Sequence, residues 1–187
     1  LTLSLATGCG YQFQGSGSIL PDDIKTVAIP VPLNDTTQPG LGIQFAETLR
    51  TRFDRYGVVE VVDDVAAADA ILRTRISSIE FRTKDVTSET DIALEQELVM
   101  TISADLRRRS GQILWADPAM RIAETFSSTS DTVVTSSSKF AQGGIGSASL
   151  GSLSSREVAR GQQAEAISEI LDEASRKIYL DAVAADF

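Results

Sequence analysis

The sequence has no histidine and only one cysteine, Cys9. Without histidine there is no Ser-His-Asp or Cys-His triad, and one thiol excludes intrachain disulfides and zinc sites of Cys/His type. The apolar stretch Leu1 to Gly8 is far shorter than the roughly 20 residues that a membrane-spanning helix requires. Basic residues are the minority charge, 17 against 26 acidic, and the net charge of −9 disfavours nonspecific capture of nucleic acid. With no disulfide and no metal, the fold stands on its apolar core. No motif for a Ser-Lys or paired-carboxylate enzyme is present, so a lipid-anchored hydrolase is the weakest of the functional readings and the expectation is a non-enzymatic protein.

What is there begins with the lone cysteine. Leu1 to Gly8 is apolar or small and runs without a charge into Cys9, as the tail of a secretory signal does. Leu5-Ala6-Thr7-Gly8-Cys9 looks like a lipobox, in which small residues admit a signal peptidase to the bond before an acylated cysteine. Ala6 is less typical at its position than Leu. The expected modification is a diacylglycerol and an N-acyl chain on Cys9, each buried methylene adding about 0.8 kcal/mol of membrane binding. No other cofactor and no metal is expected. Residues 9–19 then read as a lipidated terminus and a Gly/Ser-rich tether carrying Tyr11 and Phe13.

Residues 20–187 have the length of a single domain. Ile24 to Val31 is β-branched and closed by Pro30 and Pro32, which predicts a first strand near a rim. Leu41, Phe45, Leu49, Phe53 and Tyr56 recur at helical spacing, with Pro39 suited to the first turn and Gly57 to the end. Val58 to Val62 is a short apolar run. Ala70 to Phe81 is a strand whose phase slips at Ser77-Ser78, as at a bulge. From Ile92 to Arg107 the alternation is cleanest: Leu98, Met100, Ile102, Ala104 and Leu106 share one face, and Glu97, Thr101, Ser103 and Asp105 the other. Arg109 to Gln112 fits a tight reversal into an antiparallel strand Ile113 to Phe126, broken at Pro118. Residues 127–155 form a flexible Ser/Gly-rich insertion, and a second long amphipathic helix covers about Ser155 to Ala184. The predicted fold class is α+β, a two-layer sandwich with two long helices on one face of a mainly antiparallel or mixed sheet of four to five strands.

Read in order, Cys9-Gly10-Tyr11-Gln12-Phe13-Gln14-Gly15, Leu20-Pro21 and Ile24-Lys25-Thr26-Val27-Ala28-Ile29-Pro30 resemble the lipopolysaccharide-assembly lipoproteins, the LptE family. Asn34-Asp35-Thr36 before Pro39-Gly40-Leu41, Asp69-Ala70 and Gly111-Gln112-Ile113-Leu114-Trp115 agree with it. The combination and its order carry the resemblance, and the insertion at 127–155 departs from it. The resemblance implies a lipid-anchored outer-membrane protein on the periplasmic side. It also implies pairing with an LptD-type β-barrel, help in that barrel's assembly, and aid in placing lipopolysaccharide in the outer leaflet. Gly10 rather than Asp after Cys9 is compatible with sorting to the outer membrane. An alternative is a lipoprotein of another envelope assembly, such as a curli-type secretion channel.

A phosphate-rich ligand calls for Lys or Arg. Arg82 and Lys84 at the end of a strand, and Lys139 in the insertion, lie roughly where the family's lipopolysaccharide contacts fall. Arg107-Arg108-Arg109 is the densest basic run, placed by the pattern at a hairpin tip. Each of the six equally reads as an ordinary solvated charge. Arg73 and Arg75 are expected to pair across strands with Glu95 and Glu97. Trp115 reads as core packing or as an interface anchor.

Overall fold

The computed structural model describes residues 18–86, 93–127 and 147–184. In chain order the elements are β1 (Thr26–Ala28), β2 (Leu33–Asn34), α1 (Leu41–Tyr56), β3 (Glu60–Val62), β4 (Ala70–Val86), β5 (Ala93–Arg108), β6 (Ile113–Ser127) and α2 (Ser147–Ala182). The strands form one mixed sheet in the order β3-β1-β4-β5-β6, with β2 paired to β4 alone. β1 runs parallel to both β3 and β4, and β4, β5 and β6 are antiparallel neighbours. Both helices contribute to one continuous core against the sheet, so the predicted α+β sandwich is the fold observed.

The helices bury the residues their spacing indicates. Phe45, Leu49 and Phe53 of α1 and Ile170, Ala174 and Ile178 of α2 are fully buried, each large side chain contributing about 1.5–3 kcal/mol. Under them lie Leu98, Met100, Ile102 and Leu106 of β5, the face predicted from its alternation. Gly57 adopts φ 61° and returns its N–H to Phe53 O at 3.1 Å, ending α1 where glycine alone is comfortable.

Four local readings shift. The strand expected over Ile24 to Val31 pairs only at Thr26–Ala28, because Pro30 and Pro32 have no N–H and arch the chain away before Leu33 rejoins β4. Pro39 lies ahead of α1, not in its first turn, because Gly40 has φ 79°. The last helix begins at Ser147, inside the segment read as a loop. Serine is only mildly unfavourable in a helix, and propagation from a strong segment costs far less than nucleation. Its flexibility reading otherwise falls on 128–146, outside the described residues. The expected pairing of Arg73 and Arg75 with Glu95 and Glu97 is not made. The register sets Arg73 opposite Asp105 and Arg75 opposite Ser103, while Glu97 faces Arg82. The bulges themselves fall as predicted, between Ile76 and Ser78 and around Pro118.

Candidate functional site

The helices leave the other face of the sheet open, and the long β4-β5-β6 hairpins project charged side chains from it. Arg82 and Lys84 stand on this face, about half exposed. Arg82 donates to Glu80 through Nη2 at 2.6 Å and Nε at 3.2 Å. Lys84 Nζ lies 3.3 Å from Thr125 Oγ1 and 3.9 Å from Glu97. Exposed pairs of this kind are worth about 0–1 kcal/mol.

Arg107, Arg108 and Arg109 lie at the other end of the hairpin. β4 places Ala70 opposite Arg108 and Arg82 opposite Glu97. Twelve residues of strand rise by about 40 Å, so the two basic groups do not form one site. Each arginine of the run also has an internal partner. Arg107 Nε bonds Asp105 at 2.5 Å, Arg108 makes a two-pronged contact with Asp23, and Arg109 donates to the Ala66 carbonyl. The guanidinium of Arg108 holds the Asp23 carboxyl below its ordinary pKa. The Arg108 backbone N–H bonds Gln112 O at 2.8 Å and Gly111 turns with φ 94°, closing the reversal. Sequence density located this run, but only Arg108 and Arg109 reach other segments, tying Asp23 and the Ala66 carbonyl to the hairpin, while Arg107 bonds within its own strand.

Two side chains that the sequence reading left unassigned organise the remainder. Asp69 accepts the N–H groups of Lys25 and Thr26, each at 3.0 Å, and the Thr26 hydroxyl at 2.9 Å. Those bonds lower its pKa, the two backbone donors first. Arg52 of α1 is buried and reaches across to Asp172 of α2 at 2.5 Å. Its burial pulls the pKa down, and its bonds to Asp172 and Tyr56 reverse that, leaving it raised. The groove between the helices beside this pair has a volume of about 620 Å³ and a polar lining that includes Glu47, Arg55, Glu124 and Glu169. A second cavity of about 480 Å³ lies on the open sheet face by Val31, Leu33 and Arg73. Neither is the enclosed apolar cleft with convergent polar groups that small-molecule chemistry uses. Trp115 packs partly buried against the core. Among the described residues no cluster could hold a metal ion, and no helix is long and apolar enough to cross a membrane. Cys9 and Lys139 lie outside the described residues.

These features define a two-layer α+β sandwich with an open, charged sheet face. Residues 24–182 match the family of lipopolysaccharide-assembly proteins, LptE, and the chain belongs to that family. It is an envelope lipoprotein family, non-enzymatic in kind. No curated protein sequence matches.

Among solved structures, the minor lipoprotein from Acinetobacter baumannii is 14% identical over 89% of this chain and 100% of its own, with a TM-score of 0.46. Lipoprotein B from Nitrosomonas europaea is 18% identical over 90% and 92%, with a TM-score of 0.44. PelC from Paraburkholderia phytofirmans is 14% identical over 87% and 90%, with a TM-score of 0.43. These scores are below 0.5, and the family assignment rests on the match across 24–182.

Proposed function

We propose that this chain is an outer-membrane lipoprotein, held on the periplasmic side by a diacylglycerol and an N-acyl chain on Cys9. It pairs with an LptD-type β-barrel, aids that barrel's assembly, and assists insertion of lipopolysaccharide into the outer leaflet. The observation that carries this reading is the family match over residues 24–182. The open sheet face supports it. Arg82 and Lys84 are half exposed there, in surface pairs weak enough to be exchanged for lipopolysaccharide phosphates. Arg107 and Arg108 are weaker candidates for that contact, since their side chains are 37% and 24% exposed against 47% and 49% for Arg82 and Lys84, and Arg109 is tied to the Ala66 carbonyl.

Affinity purification of the tagged, full-length chain from its own envelope tests the pairing. An outer-membrane barrel is expected to co-purify with it. Recovery of the acylated chain with no barrel would sink the reading, and rings formed by the purified protein alone would favour the secretion-channel alternative.

A further inference from the structure

The tether leaves the fold at a defined place. Ser18 bridges Ala184, and the Ile19 N–H bonds Val183 O at 3.0 Å, so the N-terminal segment exits beside the last turn of α2. The amides of Val183 and Ala184 both return to Tyr179 O, and the Tyr179 ring stacks on Tyr56 at 4.4 Å. Around this point three large apolar side chains face outward: Ile19 is 54% exposed, Tyr56 48% and Leu180 37%. Of the charges on the neighbouring turn of α2, Arg176 pairs with Glu173 and Lys177 with Asp181.

Nine residue steps separate Cys9 from Ser18. A fully extended chain of that length spans about 30 Å at most. The end of the domain that carries Ile19 is therefore confined near whatever surface holds Cys9.

Resting on the reading that Cys9 is acylated, we propose that this end lies against the lipid surface, with Ile19, Leu180 and the ring of Tyr56 in the headgroup layer. Tyrosine suits such a boundary, having an apolar ring and a hydroxyl that stays wet. The contact is apolar: the chain's net charge of −9 is repelled by anionic lipid, and the nearby cations Arg176 and Lys177 are already paired with Glu173 and Asp181. A consequence follows for the other end. Asp23, five residues from Ser18, is tied to Arg108 at the level of Ala70. Arg82 is twelve residues of strand further on, about 40 Å away. Arg82 and Lys84 thus point away from the leaflet that holds the acyl chains, and the anion they meet arrives from the far side of the domain.

The test uses the acylated full-length chain in vesicles of phosphatidylcholine and phosphatidylethanolamine. Nitroxide labels are placed one at a time at Ile19→Cys, Leu180→Cys and Arg82→Cys, since the Cys9 thiol is consumed by its lipid. All three positions are solvent-exposed, so the labels spare the core. A water-soluble nickel relaxant reports exposure, with the unacylated Cys9→Ala chain in buffer as reference. Loss of relaxant access at 19 and 180, with none at 82, is the expected result. It should persist in high salt and gain nothing from added phosphatidylglycerol. Full aqueous access at 19 and 180 in a chain whose acylation is verified by mass spectrometry overturns the proposal while leaving the anchor intact. Absence of lipid on Cys9 overturns the anchor and the proposal together. Protection already present in the Cys9→Ala chain in buffer overturns it too, by showing that the tether's own Tyr11 and Phe13 cover the patch.

Discussion

Asp69 and Thr26 exchange hydrogen bonds in both directions: the Asp69 carboxylate accepts the Thr26 hydroxyl at 2.9 Å, and Thr26 Oγ1 accepts the Asp69 N–H at 3.0 Å. The residues are 43 apart in sequence, and the exchange pins the start of β4 to the start of β1. Two further N–H groups, those of Lys25 and Thr26, end on the same carboxylate oxygen. A charged acceptor of this kind cannot be replaced by a neutral one without weakening all three donors' bonds.

The first prediction concerns acid. The folded pKa of Asp69 is below its ordinary value of 3.8, as is that of Asp23. A depressed carboxylate adds stability that is present above the unfolded pKa and disappears as pH falls through the folded one. Thermal melting of the wild type should therefore lose ground as pH drops from about 4 toward 2. Asp69→Asn should melt lower at neutral pH and show a shallower fall over that window, and parallel curves for the two proteins would contradict the account.

The second concerns the bridge between the helices. Arg52 is only 7% exposed and bonds Asp172, whose own side chain is 63% exposed. Arg52→Ala removes a charged hydrogen bond and a buried aliphatic stem, at a cost of about 2 kcal/mol by denaturant titration. Arg52→Lys should recover only part of it, since an ammonium cannot reproduce the guanidinium's donors. Asp172→Asn should cost less than about 1 kcal/mol, because the carboxylate loses little solvation in the bridge. Equal effects of Arg52→Ala and Asp172→Asn would show that the pair's charge, not Arg52's burial, sets the energy.

These two features mark where the sequence stops being readable. Alternation along β5 and helical spacing in α1 are local, and local patterns disclosed the core face, both helices and the bulge at Ser77. Pairing is not local. Arg52 and Asp172 lie 120 residues apart, and nothing in either neighbourhood names the other. Residue type alone matches Arg73 and Arg75 to Glu95 and Glu97, but the hairpin register, set by where β4 begins and where it bulges, puts Arg82 opposite Glu97 and Asp85 opposite Glu95. The run Arg107 to Arg109 was visible as charge density, while Asp23 and the Ala66 carbonyl that occupy it arrive from distant loops. Arg82 and Lys84 read from the sequence as strand-end cations and are exposed on the open face.

The third prediction sets two glycines against each other. Both lie within helices, where alanine is ordinarily better than glycine by about 1 kcal/mol. A Cβ on Gly161 meets nothing within 4 Å, so Gly161→Ala should raise stability by about that amount. A Cβ on Gly42 would stand 2.8 Å from the Pro32 carbonyl oxygen, a backbone atom that cannot turn aside. Gly42→Ala should therefore lower stability, by about 1 kcal/mol after its propensity gain is counted. Chemical denaturation of both variants reads the sign directly, and stabilisation by both would mean that the proline arch yields freely to α1.

Photo-crosslinking in living cells from positions 82 and 108 tests the central claim most directly, because these residues occupy opposite ends of one hairpin. Lipopolysaccharide adducts should form from position 82, and an outer-membrane β-barrel should be captured with the chain. Position 108, whose arginine is engaged with Asp23, should give few or no lipopolysaccharide adducts. An acylated, folded chain that yields neither barrel nor lipopolysaccharide from either position would contradict the account.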